Sequence, residues 1–129
     1  MSRPTVLIAH DDLIALDSIE RALAPLGVEI ARAGSGKQAL AMAQRLRPAL
    51  VVAALPLRGI SGTRLVAAMA ATETRLLFVS PAVLAVEIGP RVTFVPAKIA
   101  DPALRAAVMQ LLPYRNLSSN WRASRALTP

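Results

Sequence analysis

The chain has 129 residues, no cysteine, a single histidine and a formal net charge of +7, from 13 Arg and 2 Lys against 8 acids. Such a length makes one domain that buries about two-thirds of its surface without a disulfide or metal staple, and the missing cysteine excludes disulfide scaffolds, thiol nucleophiles and cysteine-ligated zinc or iron–sulfur sites. A composition 54% hydrophobic and 18% charged excludes global disorder, a lone His10 excludes a multi-histidine metal site and argues against a Ser–His–Asp hydrolase, and no apolar run reaches the roughly 18 residues of a membrane span.

Thr5–Ala9 (TVLIA) is rich in β-branched residues and almost wholly apolar, the pattern of a strand buried on both faces. His10–Asp11–Asp12 ends it. A helix follows to about Leu26, with Leu16, Ile19, Leu23 and Leu26 on one face and Gly27 as its stop. Val28–Ala31 predicts a second strand, ending at the turn residues Gly34–Ser35–Gly36. Ser35, with Gln38 three residues on, forms a capping box for a helix over Lys37–Arg47, which Pro48 closes. Leu50–Leu55 (LVVAAL) is a third, continuously apolar strand, and Pro56–Ser61 a loop of turn formers. Gly62–Ala71 is a short Ala-rich helix carrying Leu65, Val66 and Met69. Arg75–Ser80 (RLLFVS) and Val92–Val95 are the fourth and fifth strands, with Pro96 just beyond, where a missing N–H is tolerated. Asp101 as N-cap and Pro102 at the first helical position open a last helix to about Leu112.

Five strands alternating with helices imply an α/β fold, a single doubly wound parallel sheet covered on both faces with right-handed crossovers. Function in such sheets sits outside the carboxyl ends of the strands. Here those ends are His10–Asp12, Ala53–Leu55, Ser80 and Lys98.

VLIAHDD at the first strand, SGKQAL opening the second helix and RPALVVAALPLRGISG around the third strand resemble the receiver domain of bacterial response regulators. Ser80 after RLLFV and Lys98 in AKIADP continue the register, so the likeness spans about residues 4–112. It implies a five-stranded sheet of order 2-1-3-4-5, with residues 1–112 as the receiver-like domain and 113–129 as a basic tail. It also implies a pocket in which an acidic pair holds Mg²⁺, a third-strand Asp accepts a phosphoryl group from a histidine kinase, a Ser or Thr contacts that group and a Lys neutralises it. Carried over, the acidic pair falls on His10 and Asp11, with Asp12 just beyond; the phosphate-contact positions fall on Ser80 and Lys98.

The phosphoacceptor position falls on Ala54, which has no side-chain oxygen, and residues 50–57 contain no Asp or Glu in any register. The aromatic switch position falls on Val95, and Ile99 stands where the family has Pro. The stretch between Ser80 and Lys98 is short and holds Pro81, Gly89 and Pro90, which predicts a truncated fourth-helix region. Magnesium prefers a near-octahedral oxygen shell. Asp11 and Asp12 alone make its binding weak or absent, and no other cofactor is expected.

Simpler roles stand beside these. Asp11 and Asp12 suit a helix N-terminus electrostatically. Lys98 can pair with Asp11, Ser80 can be satisfied by backbone, His10 can be structural and Ala54 can pack as core. The reading that emerges is a degenerate, non-enzymatic pseudo-receiver in two-component-type signalling, acting through protein–protein contacts. Its expected partner is a kinase, an output protein or a second copy, met through residues 81–112. Alternatives are a receiver phosphorylated at Asp11 or Asp12, and a small nucleic-acid-binding protein using the tail PYRNLSSNWRASRALTP, whose Arg and aromatic residues suit stacking on bases. Nucleic acid is the weaker partner, because the basic excess, partly a property of that acid-free end, is Arg rather than Lys in a chain with 25 Ala and reads as compositional drift. An enzyme using the carboxylates, His10 and Lys98 for acid–base chemistry is least favoured. The opening MSRPTVLIAHDD is too poor in apolar residues for a secretory signal, so a cytoplasmic location is expected.

Overall fold

Apolar runs at residues 5–9, 50–54 and 75–80 have no polar alternation, so their backbones can be buried only if both faces of a sheet are covered. The computed structural model, which describes residues 3–55, 57, 59, 62–70, 72–80 and 92–112, has that arrangement. The strands β1 (Thr5–Ala9), β2 (Glu29–Ala33), β3 (Leu50–Ala54), β4 (Arg75–Ser80) and β5 (Val92–Pro96) form one parallel sheet of order β2-β1-β3-β4-β5. Every residue of β3 is buried.

Alternate side chains divide the core. Val6, Ile8, Leu50, Val52, Leu77 and Val79 pack against α1 (Leu13–Leu23) and α4 (Asp101–Leu111), chiefly on Leu16, Leu23, Leu104 and Val108. Leu7, Val51, Ala53, Leu76 and Phe78 face the other way, onto Ala39 and Ala43 of α2 (Gly36–Leu46) and Leu65 and Met69 of α3 (Gly62–Met69). The sheet is therefore doubly wound, as the alternation of elements implies.

Several boundaries differ from the sequence expectation. The first helix ends at Leu23 and passes into a 3-10 turn, Ala24–Leu26, because Pro25 has no N–H to continue the α-helical ladder. Gly27 then takes φ 69°, a left-handed conformation that closes the turn. The second strand is shifted to Glu29–Ala33, since its ladder with β1 runs on to Ala9↔Ala33. The third strand stops at Ala54, one residue short of the expected Leu55. The third helix stops at Met69, whose carbonyl accepts both the Thr72 N–H and its hydroxyl. The fifth strand includes Pro96, paired with Ser80 on an edge where its missing donor is harmless. The last helix has Ala100, not Asp101, as its N-cap; Asp101 and Pro102 occupy the first turn. Residues 81–91, where the shortened fourth-helix region was expected, and the tail 113–129 lie outside the described residues.

Helix ends are satisfied locally. Ser35 Oγ accepts the Gln38 N–H at 3.2 Å, while Gln38 Oε1 accepts from the Gly34 N–H at 2.8 Å, so the reciprocal half of the capping box reaches one residue further back than expected. The helix therefore begins at Gly36 and ends at Leu46, with Arg47 as a left-handed C-cap at φ 48°. Arg105 donates to the Ala22 carbonyl at 3.1 Å, near the end of α1, and Arg75 to the Leu111 carbonyl at 2.9 Å, near the end of α4. Both guanidiniums sit where helix carbonyls lack partners.

Two stability outcomes follow. Ser35→Ala is expected to lower the unfolding free energy by about 1 kcal/mol, measured by urea denaturation, through loss of the cap. Leu77→Ala, which opens a cavity in the α1/α4 core, is expected to cost about 3 kcal/mol in the same assay.

Candidate functional site

Parallel strands bring all their carboxyl ends to one side of the sheet, and backbone bonds continue just past them. The His10 N–H donates to Ala33, Leu55 to Val79 and Ala97 to Ser80, at 3.1, 2.9 and 2.9 Å. These bonds fix where the strand-end side chains emerge.

At the end of β1 the chain turns into α1 through the run His10–Asp11–Asp12. Asp12 is the N-cap: its Oδ1 accepts the Ile14 N–H at 3.0 Å. Its own N–H donates to His10 Nδ1 at 3.0 Å, and the same nitrogen lies 3.4 Å from Asp11 Oδ1. In the neutral imidazole the ring proton therefore belongs on Nε2. A proton on Nδ1 would exchange the Asp12 bond for a charge pair with Asp11.

Ala54 ends β3 opposite Val79 and is only 6% exposed. Ser80 ends β4 and is buried at 4%. Val95 lies half-buried in β5, opposite Val79, and Lys98 is exposed in the turn that follows. The ion pair suggested by the sequence between Lys98 and Asp11 is not formed: Lys98 makes no ion pair among the described residues. The turn at Ala97–Lys98 leaves the lysine in water, where a pair gains little.

His10, Asp11 and Ala54 come together on a cleft of about 450 Å³ between α1 and α4. Its described lining does not include Asp12, Ser80, Val95 or Lys98. It does include residues that sequence reasoning did not assign to a site: Ala15, Ser18 and Ile19 of α1, and Asp101 and Leu104 of α4. Ser18 is an exposed residue in the middle of α1, off the stripe of Leu16, Ile19 and Leu23, so the sequence carried no signal for it. Asp101 was read only as a cap.

Of the oxygen donors a magnesium ion prefers, Ala54 offers none and Asp12 Oδ1 accepts from the Ile14 N–H, and among the described residues no three His, Cys, Asp or Glu side chains converge.

Strand order and helix placement together match one known arrangement. A response regulator receiver domain protein from Bacillus halodurans superposes with a TM-score of 0.77 at 19% identity, over 87% of this chain and 99% of that one. The fold is that of a receiver domain. The receiver domain of the hybrid histidine kinase CckA matches with a TM-score of 0.72 at 24% identity, over 84% and 98% of the two chains. A CheY-like receiver protein from Methanospirillum hungatei matches with 0.73 at 18%, over 95% and 99%. No family model and no curated protein matches the sequence. In the receiver fold adopted here, the central strand β3 ends at the methyl group of Ala54.

A direct test of that environment is Ala54→Asp. The new carboxylate would be largely desolvated and close to Asp11, so the variant is expected to lose about 1–3 kcal/mol of stability in urea denaturation at neutral pH.

Proposed function

We propose that this chain is a pseudo-receiver: a signalling module with the receiver fold that acts through protein–protein contacts and neither accepts a phosphoryl group nor turns over a substrate. The observation that carries the reading is Ala54, buried at the end of β3 with no oxygen to form an acyl phosphate. Two features support it. Lys98 is exposed and makes no ion pair with Asp11, and Ser80 stands outside the described lining of the cleft. Asp12, an alternative acceptor, is held by the Ile14 N–H as a helix cap.

The module's partner is a signalling protein, a kinase or an output protein, or a second copy of the chain, with the region 81–112 as the contact surface. Within that region β5 is an edge strand of the described sheet, and Phe94 and Val95 are only half-buried. Leu13 and Ile14, 70% and 75% exposed at the start of α1, offer a second small apolar surface. Among the described residues no helix is long and apolar enough to cross a membrane. The arginine-bearing tail keeps a nucleic-acid role as the second reading; a steep salt dependence of DNA or RNA binding would favour it.

Acetyl phosphate or beryllofluoride with Mg²⁺ is expected to leave the protein unmodified by intact mass and its amide spectrum unchanged. Shifts concentrated at Asp11, Ala54, Ser80 and Lys98, or a phosphoryl adduct on Asp11 or Asp12, would overturn the pseudo-receiver reading. For the self-contact, sedimentation velocity is expected to reveal a concentration-dependent dimer that Leu84→Glu weakens. A monomer at every concentration would remove self-association and leave only a foreign partner.

A further inference from the structure

We propose that the cleft between α1 and α4 binds a small organic cation, an ammonium group on an apolar stem, and that this ligand rather than phosphate is the input to the domain. The proposal extends the pseudo-receiver reading by supplying an input, but it rests on a separate observation, the composition of the cleft wall.

The cavity measures about 450 Å³, within the range of small-molecule sites, which are mostly apolar with a few placed polar groups. Its floor is aliphatic: Ile19, Ala54, Val79 and Leu104. A side chain longer than the Ala54 methyl would project into space that the cleft now leaves open. The charged groups among the described lining residues are Asp11 and Asp101, joined by the imidazole of His10; no Lys or Arg is among them. The charge among the described lining residues is thus opposite to the chain's net +7; Lys98, between the lining residues Ala97 and Ile99, is exposed and outside the lining.

The alternative of an anion is disfavoured by the same residues. The amino ends of α1 and α4 both face this end of the sheet, and a bare helix N-terminus would attract negative charge. Here each is already answered, α1 by the Asp12 cap and α4 by Asp101 in its first turn. An incoming carboxylate or phosphate would meet Asp11 and Asp101 as well. Asp101 forms no ion pair among the described residues, so a ligand ammonium need not displace a described partner from it. An apolar stem on the floor and an ammonium at Asp101 satisfy both halves of the wall.

Titration of the ¹⁵N-labelled full chain with phenethylammonium tests this, with 2-phenylethanol and 3-phenylpropionate as neutral and anionic counterparts. The expected result is saturable shifts of the His10, Ile19, Ala54 and Leu104 amides with the amine. The alcohol should bind more weakly, and the carboxylate should shift none of them. Asp101→Asn is expected to weaken amine binding about threefold, as loss of one partly exposed charge contact would, and Ala54→Leu to abolish it by filling the floor. The proposal fails if the carboxylate shifts the same amides as strongly as the amine, if no probe gives a saturable shift, or if Asp101→Asn binds the amine unchanged. N-acetylarginine amide presents the cation as a protein side chain would; if it shifts these amides more strongly than the amine, the cleft is a protein-docking site and the small-ligand proposal fails. None of these outcomes depends on acetyl phosphate reactivity, so the two readings can fail separately.

Discussion

Burial of the sheet on both faces is the constraint from which the rest of this molecule follows. β3 is buried along its whole length, and β1 nearly so, because α1 and α4 cover one face and α2 and α3 the other. A strand in that position cannot alternate polar and apolar residues, and its polar chemistry is pushed past its ends. Charged and hydrogen-bonding side chains therefore gather on the turns after the strands, where the parallel arrangement brings them to one rim. The location of the cleft is thus a property of the topology. Its chemistry belongs to the few residues that happen to stand there.

Those residues are largely engaged with one another or continuous with the core. The strand-end turn after β1 is organised around internal hydrogen bonds: Asp12 caps its helix and feeds its amide to His10, and His10 lies against Asp11. Groups already engaged with one another are poorly placed to gather around an ion. At the end of β3 the apolar core simply continues to the rim through Ala53 and Ala54. The combination makes a recess whose described lining is aliphatic at Ile19, Ala54, Val79 and Leu104 and acidic at Asp11 and Asp101.

Much of this was legible in the sequence, for reasons that can be named. TVLIA, LVVAA and RLLFVS are unbroken apolar runs, which only a twice-covered parallel sheet explains, and the order of elements gave the doubly wound fold. Gly27 and Ser35 marked helix ends through backbone chemistry that few other residues supply. The failures were equally local. Asp101 and Pro102 were read as cap and first residue, yet the chain begins its helix one residue earlier, since Ala100 supplies the required extended backbone without a side-chain cap. The Lys98–Asp11 pair was inferred from strand-end proximity, but the turn after β5 carries the lysine into solvent. The contribution of α1 and α4 to the cleft was hidden because it depends on where two helices separated by about 80 residues come to lie, which no local pattern encodes.

The guanidinium of Arg105 on the Ala22 carbonyl is a strut between α4 and α1. It leaves α4 beside Leu104, a residue of the cleft, and meets α1 about two helical turns, or about 10 Å, from Ala15. The two side walls of the recess are thereby braced by a polar bond in addition to the apolar packing of Leu16, Leu23, Leu104 and Val108, while Ala103, Ala106 and Gln110 of the same helix meet solvent.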